Sequence, residues 1–416
     1  MASDSIPLEI PEFRPMWPES GLDAAALRRA EWTPLPFTEF VVKIHSRCNL
    51  ACDYCYIYEM ADQGWRNQPK VMRRETFTTA CAMIGEHALR HKIDAVQLVF
   101  HGGEPLLAGH AELAFFARHA RETLGKHLGV QLSMQTNGVL LDDEFLRLCA
   151  QWNIGIGVSL DGDATANDRH RRDRRGRGSH ADVAAALARL SAPEYRHLYG
   201  GLLCTIDVAN DPIRTYEGLL RFRPPSVDFL LPHGNWTNPP PHRVADSTET
   251  PYADWLIPIF DRWYGERAAT TSVRLFEDIV DLLIGGTAGS ELIGLEPIQL
   301  AVIETDGTLE QVDELKSAYA GAAGFGLRGL GNALDEAMRL PAVIARQIGV
   351  EALSDECRAC PIHTVCGGGH YVHRYRADSG FRHPSVYCAD LTKLIRHIDS
   401  RVGTDLARSR QTGEGS

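Results

Sequence analysis

No stretch of the 416 residues sustains the about 18 apolar positions that a membrane-crossing helix needs, so no membrane is expected as a partner. A basic surplus is missing as well. Asp and Glu number 54 against 43 Lys and Arg, a formal net charge of −11, which argues against nucleic acid as a partner because phosphate contacts need a basic face. The first residues, Met1 to Pro7, have neither a charged n-region nor an apolar h-region, so nothing points to export. Cysteine is absent between Cys204 and Cys357, and six of the ten cysteines crowd into Cys48/Cys52/Cys55 and Cys357/Cys360/Cys366. Without a mark of export, that clustering reads as metal ligation in a reducing, cytoplasmic setting and not as a disulfide framework.

What is present is ordinary globular material. Apolar residues make up 44% and charged residues 23%, enough for a sizeable core, and the length suits about two to three domains. Residues 1–36 are rich in proline, with one short helical candidate at Asp23–Arg29, and read as an extended arm laid over a larger body. From Phe37 a β/α alternation begins and runs to about residue 236. Apolar runs at Phe40–Ile44, Ala95–Phe100, Val130–Gln135, Ile154–Leu160, Leu202–Ile206 and Val227–Leu231 read as strands. Between them lie amphipathic segments such as the stripe Phe77, Ala80, Cys81, Ile84 and Ala88. Near-continuous apolar strands separated by such helices predict a parallel α/β sheet, and ligands bind such sheets at the C-terminal strand ends. Residues 237–296 begin with Asn238-Pro239-Pro240-Pro241-His242 and read as a linker and bridging helices, roughly Tyr252–Trp263 and Ser272–Ile284. A second cysteine-bearing region is expected at 297–408, with a Gly/Ala-rich loop at Gly321–Gly331, and a disordered tail at 409–416.

The chemistry concentrates in Arg47-Cys48-Asn49-Leu50-Ala51-Cys52-Asp53-Tyr54-Cys55-Tyr56. Its three cysteines are spaced C-x3-C-x2-C at the end of the first strand. Four thiolates would fill every external site of a cubane cluster, whereas three leave one iron open; a zinc ion completed by His45 is the alternative. Later strands end in Gly102-Gly103-Glu104-Pro105, in Thr136-Asn137-Gly138 and in Ser159-Leu160-Asp161-Gly162, segments expected to converge on the same place. The C-terminal set, Cys357-x2-Cys360-x5-Cys366 with Cys388 further on, suits either zinc or a closed 4Fe–4S cluster. Cys81, Cys149 and Cys204 sit in helix or strand patterns and read as core.

At the first loop the sequence resembles the radical S-adenosylmethionine (SAM) enzymes, whose signature is C-x3-C-x-aromatic-C. The resemblance implies a partial (β/α)6 TIM-like barrel, with Cys48, Cys52 and Cys55 holding a SAM-binding 4Fe–4S cluster and Tyr54 as the signature aromatic. Cleavage of SAM would give a 5′-deoxyadenosyl radical, chemistry of the cofactor that the protein positions and shields. Gly102, Gly103 and Glu104 match the segment that holds the methionine amino group; Ser159 and Arg171 match contacts to the SAM carboxylate or ribose. Asn137, with Thr136, is either SAM-adjacent or a turn residue. The other arginines in Arg169-His170-Arg171-Arg172-Asp173-Arg174-Arg175 read as solvated charge.

The C-terminal cysteines resemble a SPASM auxiliary-cluster domain, with a departure. The family pattern C-x2-C-x5-C-x3-C puts a cysteine where this chain has His370. One fully ligated auxiliary 4Fe–4S cluster on Cys357, Cys360, Cys366 and Cys388 is therefore expected, suited to electron transfer. Asp313 falls where sulfatase-maturing members place a general base, and is otherwise one more surface carboxylate. The phrases Pro36–Cys48, Glu304-Thr305-Asp306-Gly307, Gln311-Val312-Asp313 and Pro384–Leu391 resemble the FxsB-type maturases. That implies a cyclophane crosslink, Cβ to aromatic ring, in a ribosomally made precursor peptide, with an external electron donor such as flavodoxin or ferredoxin. Formylglycine formation by a sulfatase maturase is the alternative enzyme, and a non-catalytic iron–sulfur scaffold the alternative of another class.

Overall fold

The computed structural model describes residues 16–244, 247–266, 270–329 and 331–413. Six strands lie side by side and parallel in sequence order: β1 (Glu39–His45), β2 (Ala95–Gly102), β3 (Gly129–Thr136), β4 (Ile154–Ser159), β5 (Tyr199–Thr205) and β6 (Ser226–Leu230). Each lies within a residue or two of its apolar run except β5, which starts three residues early, and alternate side chains such as Phe40, Val42 and Ile44 are fully buried. Between β1 and β2, helix α1 (Arg74–His91) buries the expected stripe and also His87. Helices α2 (His110–Thr123), α3 (Asp143–Trp152), α4 (Ala164–His170), α5 (His180–Leu190) and α6 (Pro212–Leu220) follow the next strands. The parallel α/β sheet with helices on its outer face is thus the fold.

The sheet is wider than the expected six strands. Ser272 and Val273, expected to open a helix, instead pair parallel with Ser226 and Val227 as β7, and a helix follows at Arg274–Leu283. Extended pairing suits the β-branched Val273, which is fully buried. On the other side, β8 (Leu300–Ile303) pairs parallel with β1 through Glu39↔Leu300 to Val42↔Ile303. Then β9 (Thr308–Glu310) and β10 (Gly324–Arg328) add antiparallel strands, so the Gly321–Gly331 segment is not simply loop. One ten-stranded sheet, β10-β9-β8-β1-β2-β3-β4-β5-β6-β7, therefore crosses the boundary expected at residue 297.

Within the expected arm, residues 1–15 lie outside the described part; the rest includes a helix at Ala24–Arg29 and a buried Trp17 whose carbonyl accepts from Phe381 N–H at 3.3 Å. The chain's final helix runs from Cys388 to Gly413, so the tail expected to be disordered from 409 continues that helix before the described residues end. Among the described residues, no helix is long and apolar enough to cross a membrane.

Candidate active site

Cys48, Cys52 and Cys55 line one side of a cavity of about 180 Å³ at the C-terminal ends of the parallel strands. The loop that carries them is tied down at several points. Ala51 N–H donates to Arg172 O at 2.7 Å, and Cys55 N–H to Cys52 O at 3.1 Å. Leu50 N–H and Asn137 Nδ2 approach the Cys48 sulfur at 3.4 and 3.6 Å. Burial pushes the Cys48 thiol up to about 12 and Cys52 to about 11, and raises Cys55 as well. Three thiols that resist ionisation need a cation to hold them as thiolates, and a metal supplies that.

Gly102 and Gly103 sit against this loop because no side chain would fit. A Cβ on Gly102 would meet His45 O at 2.0 Å, and one on Gly103 would meet the Tyr58 hydroxyl at 1.8 Å. Their backbone extends the strand ladder onto the loop: Gly103 N–H donates to His45 O at 2.9 Å and Glu104 N–H to Arg47 O at 3.0 Å. Both glycines line the cavity. Glu104 acts differently from the expected ligand contact. Its carboxylate is fully buried and accepts from Leu106 N–H (3.0 Å), Thr136 Oγ1 (2.7 Å) and Asn137 N–H (2.8 Å). It is a brace between the ends of β2 and β3, and its brace holds Asn137, whose Nδ2 donates to Asn49 Oδ1 in the cysteine loop at 2.8 Å.

Tyr54 and Arg171 meet across the same cavity. Arg171 Nη1 donates to the Tyr54 hydroxyl at 2.8 Å, which donates to Asp161 Oδ2 at 2.5 Å; Asp161 Oδ1 accepts from Thr205 N–H at 3.0 Å. This chain of contacts ties the cysteine loop to the ends of β4 and β5. Arg171 is buried while its neighbours Arg169, Arg172, Arg174 and Arg175 are exposed, and its Nε has no partner. A buried guanidinium that lines a cavity is suited to a carboxylate. Ser159 Oγ accepts from Gln135 Nε2 at 2.9 Å, and both residues line the cavity.

Asp313 does not line it. It lies behind His101, 3.9 Å from Nδ1 of that ring, and is buried, which removes the surface-carboxylate alternative. Lys43 Nζ is 2.5 Å from Asp313 and 2.7 Å from Glu304; Lys316 Nζ is 2.6 Å from Glu304, 2.7 Å from Glu310 and 3.5 Å from Asp313. Burial opposes ionisation of Asp313, but Lys43 and Lys316 outweigh it and hold the carboxyl below its ordinary range. Burial pushes Glu310 up to about 7 in the same network. The network joins β1 to the hairpin after β8.

Far along the chain, Cys357, Cys360, Cys366 and Cys388 line a second cavity of about 70 Å³, walled also by Ile362, Pro384 and Thr392. Gly367, Gly368 and Gly369 follow Cys366 with φ of +58°, +78° and +71°, and a Cβ on Gly367 would meet Gly294 O at 1.6 Å. Arg374 Nη2 donates to the carbonyls of Gly367 and Gly369, each at 2.6 Å, and sets that turn. Burial raises Cys366 to about 12 and lifts Cys388 too.

The spacing of the thiols bears on the metal. Tetrahedral zinc, at about 2.3 Å from each sulfur, draws thiolates to about 3.8 Å of one another. Three groups of His, Cys, Asp or Glu have ligand atoms all within 4.8 Å of one another among the described residues, and none includes a cysteine. Neither cysteine set therefore has three thiols all within 4.8 Å of one another, a wider spacing than around a single zinc ion. Sequence reasoning missed part of the lining: Tyr56, Tyr58, His101, Leu203, Leu231 and His233. Most lie at strand ends or in the cysteine loop, and strand-end position was the signal that could have found them. Cys81, Cys149 and Cys204 are buried in the core, as read.

Comparison with known proteins agrees with this geometry. Residues 42–201 match the model of the Radical SAM superfamily. The serine-type anaerobic sulfatase-maturating enzyme of Klebsiella aerogenes is 28% identical over 371 residues, covering 85% of each chain. The solved structure of native anSMEcpe with bound AdoMet and Cp18Cys peptide shares the fold at TM-score 0.73 and 21% identity, covering 89% of this chain and 99% of that one. Streptococcus suis SuiB bound to precursor peptide SuiA is a more distant likeness, at TM-score 0.56 and 13% identity over 88% of this chain and 78% of that one. The segment matched encloses the cysteine loop, the glycine pair, Asn137, Ser159 and Arg171, so the likeness to the radical SAM superfamily falls on the site itself, and the chain is similar in sequence to the anaerobic sulfatase-maturating enzymes.

Proposed function

We propose that the protein installs a cyclophane crosslink, Cβ to an aromatic carbon, in a ribosomally made precursor peptide. The observation that carries this reading is the single four-cysteine cavity in the C-terminal region, with His370 in place of a further cysteine and none between Cys204 and Cys357. Such a chain holds one closed auxiliary cluster beside the open one. The main cavity has two characters that suit the reaction. Gln135, Ser159, Asn137 and Arg171 form a polar side for SAM, while Tyr56, Leu203, Leu231 and Pro232 form an apolar side able to receive an aromatic ring. The solved structures of anSMEcpe and SuiB with bound peptides support a peptide as the substrate class.

In this reading Cys48, Cys52 and Cys55 hold the SAM-binding 4Fe–4S cluster, and Cys357, Cys360, Cys366 and Cys388 the auxiliary one. When bound, SAM and the clusters supply hydrogen-atom abstraction from carbon and a sink for one electron. Arg171 would hold the SAM carboxylate, and the backbone of Gly102 and Gly103 would hold the methionine end. Ser159 orients the ribose. Tyr54, Asn137 and Glu104 position these groups. Joining Cβ to the ring removes two hydrogens, one as an atom and one as an electron and a proton. His101 receives that proton, with Asp313 behind it to steady the imidazolium. An external donor such as flavodoxin or ferredoxin supplies the reducing electron.

Formylglycine formation is the second reading, favoured by the 371-residue match to the Klebsiella enzyme. Both reactions can remove two hydrogens, as formylglycine formation does from serine, so mass alone does not separate them. Co-expression with the small open reading frames beside the gene, read by tandem mass spectrometry, tests the choice. A crosslink leaves one short peptide segment resistant to fragmentation; an aldehyde that reacts with hydrazine, with full fragmentation, overturns the crosslink. Absence of 5′-deoxyadenosine under dithionite would leave only an iron–sulfur scaffold.

A further inference from the structure

His233 follows the end of β6, whereas His370 and His373 lie in the turn after the three glycines, yet their ring nitrogens come within 4.8 Å of one another. His370 is 4% exposed and His373 1% exposed. Nδ1 of His233, Nδ1 of His370 and both ring nitrogens of His373 have no hydrogen-bond partner. A buried imidazole normally bonds through at least one nitrogen, and leaving several unpaired in one place costs free energy for each. The two other tight groups of potential ligands are already occupied. Glu304, Glu310 and Asp313 enclose Lys43 and Lys316, and Asp335 beside His87 and His91 is paired with Arg90. The histidine trio has no such counter-group inside it.

From this geometry we infer that His233, His370 and His373 form a three-imidazole site for a divalent transition-metal ion such as zinc, separate from both cysteine sets. Three neutral imidazoles are a common donor set for such ions, and they leave a fourth position for water or another oxygen or nitrogen donor. Burial keeps all three rings neutral, with His233 lowered to about 4, so their lone pairs are available. Zinc–nitrogen bonds of about 2.0–2.1 Å put ligand atoms about 3.4 Å apart, a contraction that small ring rotations supply. The nearest carboxylate, Glu291, accepts from Arg346 and stands 3.9 Å from His370 Nε2, the nitrogen opposite its unpartnered Nδ1.

The location gives the ion a purpose. His233 also lines the main cavity and packs edge-on against Tyr56, with ring centroids 4.6 Å apart. His373 O accepts from Val386 N–H at 2.9 Å, two residues before Cys388, and Cys366 O accepts from Gly369 N–H at 2.8 Å, just before His370. A metal here would stand behind the cavity wall, clamp the end of β6 to the turn between two auxiliary-cluster cysteines, and place positive charge between the two cysteine sites.

The test uses the full chain with its iron–sulfur clusters loaded, incubated anaerobically with zinc sulfate, then desalted and measured for zinc and iron. The expected result is about one zinc per chain beside about eight iron, with a zinc K-edge spectrum of nitrogen and oxygen neighbours carrying imidazole back-scattering. His370→Gln and His373→Gln should each weaken zinc binding at least about tenfold while iron content and circular dichroism stay unchanged. Should either variant misfold, His233→Gln, at the cavity edge, must show the same loss. Wild-type protein that retains no zinc, equal zinc in wild type and folded variants, or a sulfur-dominated zinc shell would each overturn the inference. None of these readouts depends on which peptide reaction the protein performs.

Discussion

The two cysteine sites are built in opposite ways. The first takes three thiols from one eight-residue loop, and faces a cavity of about 180 Å³ whose far walls come from the ends of other strands. The second gathers four thiols from three short segments spread over Cys357 to Cys388, around only about 70 Å³. A compact loop with three donors leaves one metal position and an adjoining space for a ligand. A set of four donors from separate segments closes the metal and leaves no room beside it. In the function proposed above, the one site binds and reacts, and the other passes an electron.

The sharpest way to break that comparison is to remove one thiol from each site. Cys48→Ala should lower iron from about eight to about four per chain and cut 5′-deoxyadenosine formation by about a thousandfold or more. Cys388→Ala should lose a similar share of iron but retain 5′-deoxyadenosine formation within about threefold, while modified peptide falls by about ten- to a hundredfold. Equal loss of 5′-deoxyadenosine in both variants, at matched folding, would show that the sites do not divide the work in this way. A wild-type count near twelve iron would remove the single-auxiliary-cluster reading altogether.

Arg171 sharpens the ligand side of the comparison, because no equivalent cation is needed at the closed site. Replacing it by glutamine removes the unpartnered Nε–H and the bond to Tyr54. A charged hydrogen bond is worth roughly 1.5–3 kcal/mol, so the KM for SAM should rise about ten- to a hundredfold with iron content unchanged. Tyr54→Phe keeps Arg171 and should cost less, since it removes only the relay to Asp161.

Much of this was legible in the sequence, and the reason differs from residue to residue. Strands β1 to β6 announce themselves as short apolar-rich runs in which alternate side chains are buried. Both cysteine sets announce themselves by local spacing. Lys43, Glu304, Lys316 and Asp313 do not. They lie up to 273 positions apart, and only pairing of β8 with β1 brings them together, so their shared ion network has no local pattern. Asp313 could be singled out by resemblance, but not its place behind His101. Glu104 was legible as part of a cofactor segment, whereas its role as a brace depends on where Thr136 and Asn137 come to rest. The trio of His233, His370 and His373 was equally hidden: each is an ordinary histidine until the turn at Gly367–Gly369 folds back on the end of β6.

His101 offers the finest test, because it concerns how the reaction ends and not whether it starts. Burial lowers the His101 pKa from its ordinary value, although Asp313 opposes that shift. A lowered pKa keeps the neutral, proton-accepting form present below the usual histidine range near 6.5, and that form is lost only as the pH falls through the folded value. Formation of modified peptide should therefore stay level as the pH drops to about 6.5 and decline only in more acid solution. His101→Gln should abolish that acid limb and slow product formation by about two- to fivefold, with 5′-deoxyadenosine unaffected. The effect is small because a ring that has lost an electron is a strong acid, and water can take its proton when the imidazole is gone. Asp313→Asn should move the limb to lower pH, since it withdraws the charge that favours the imidazolium. An unchanged pH profile in both variants would take His101 and Asp313 out of the proton path and leave Asp313 as a partner of Lys43 and Lys316 alone.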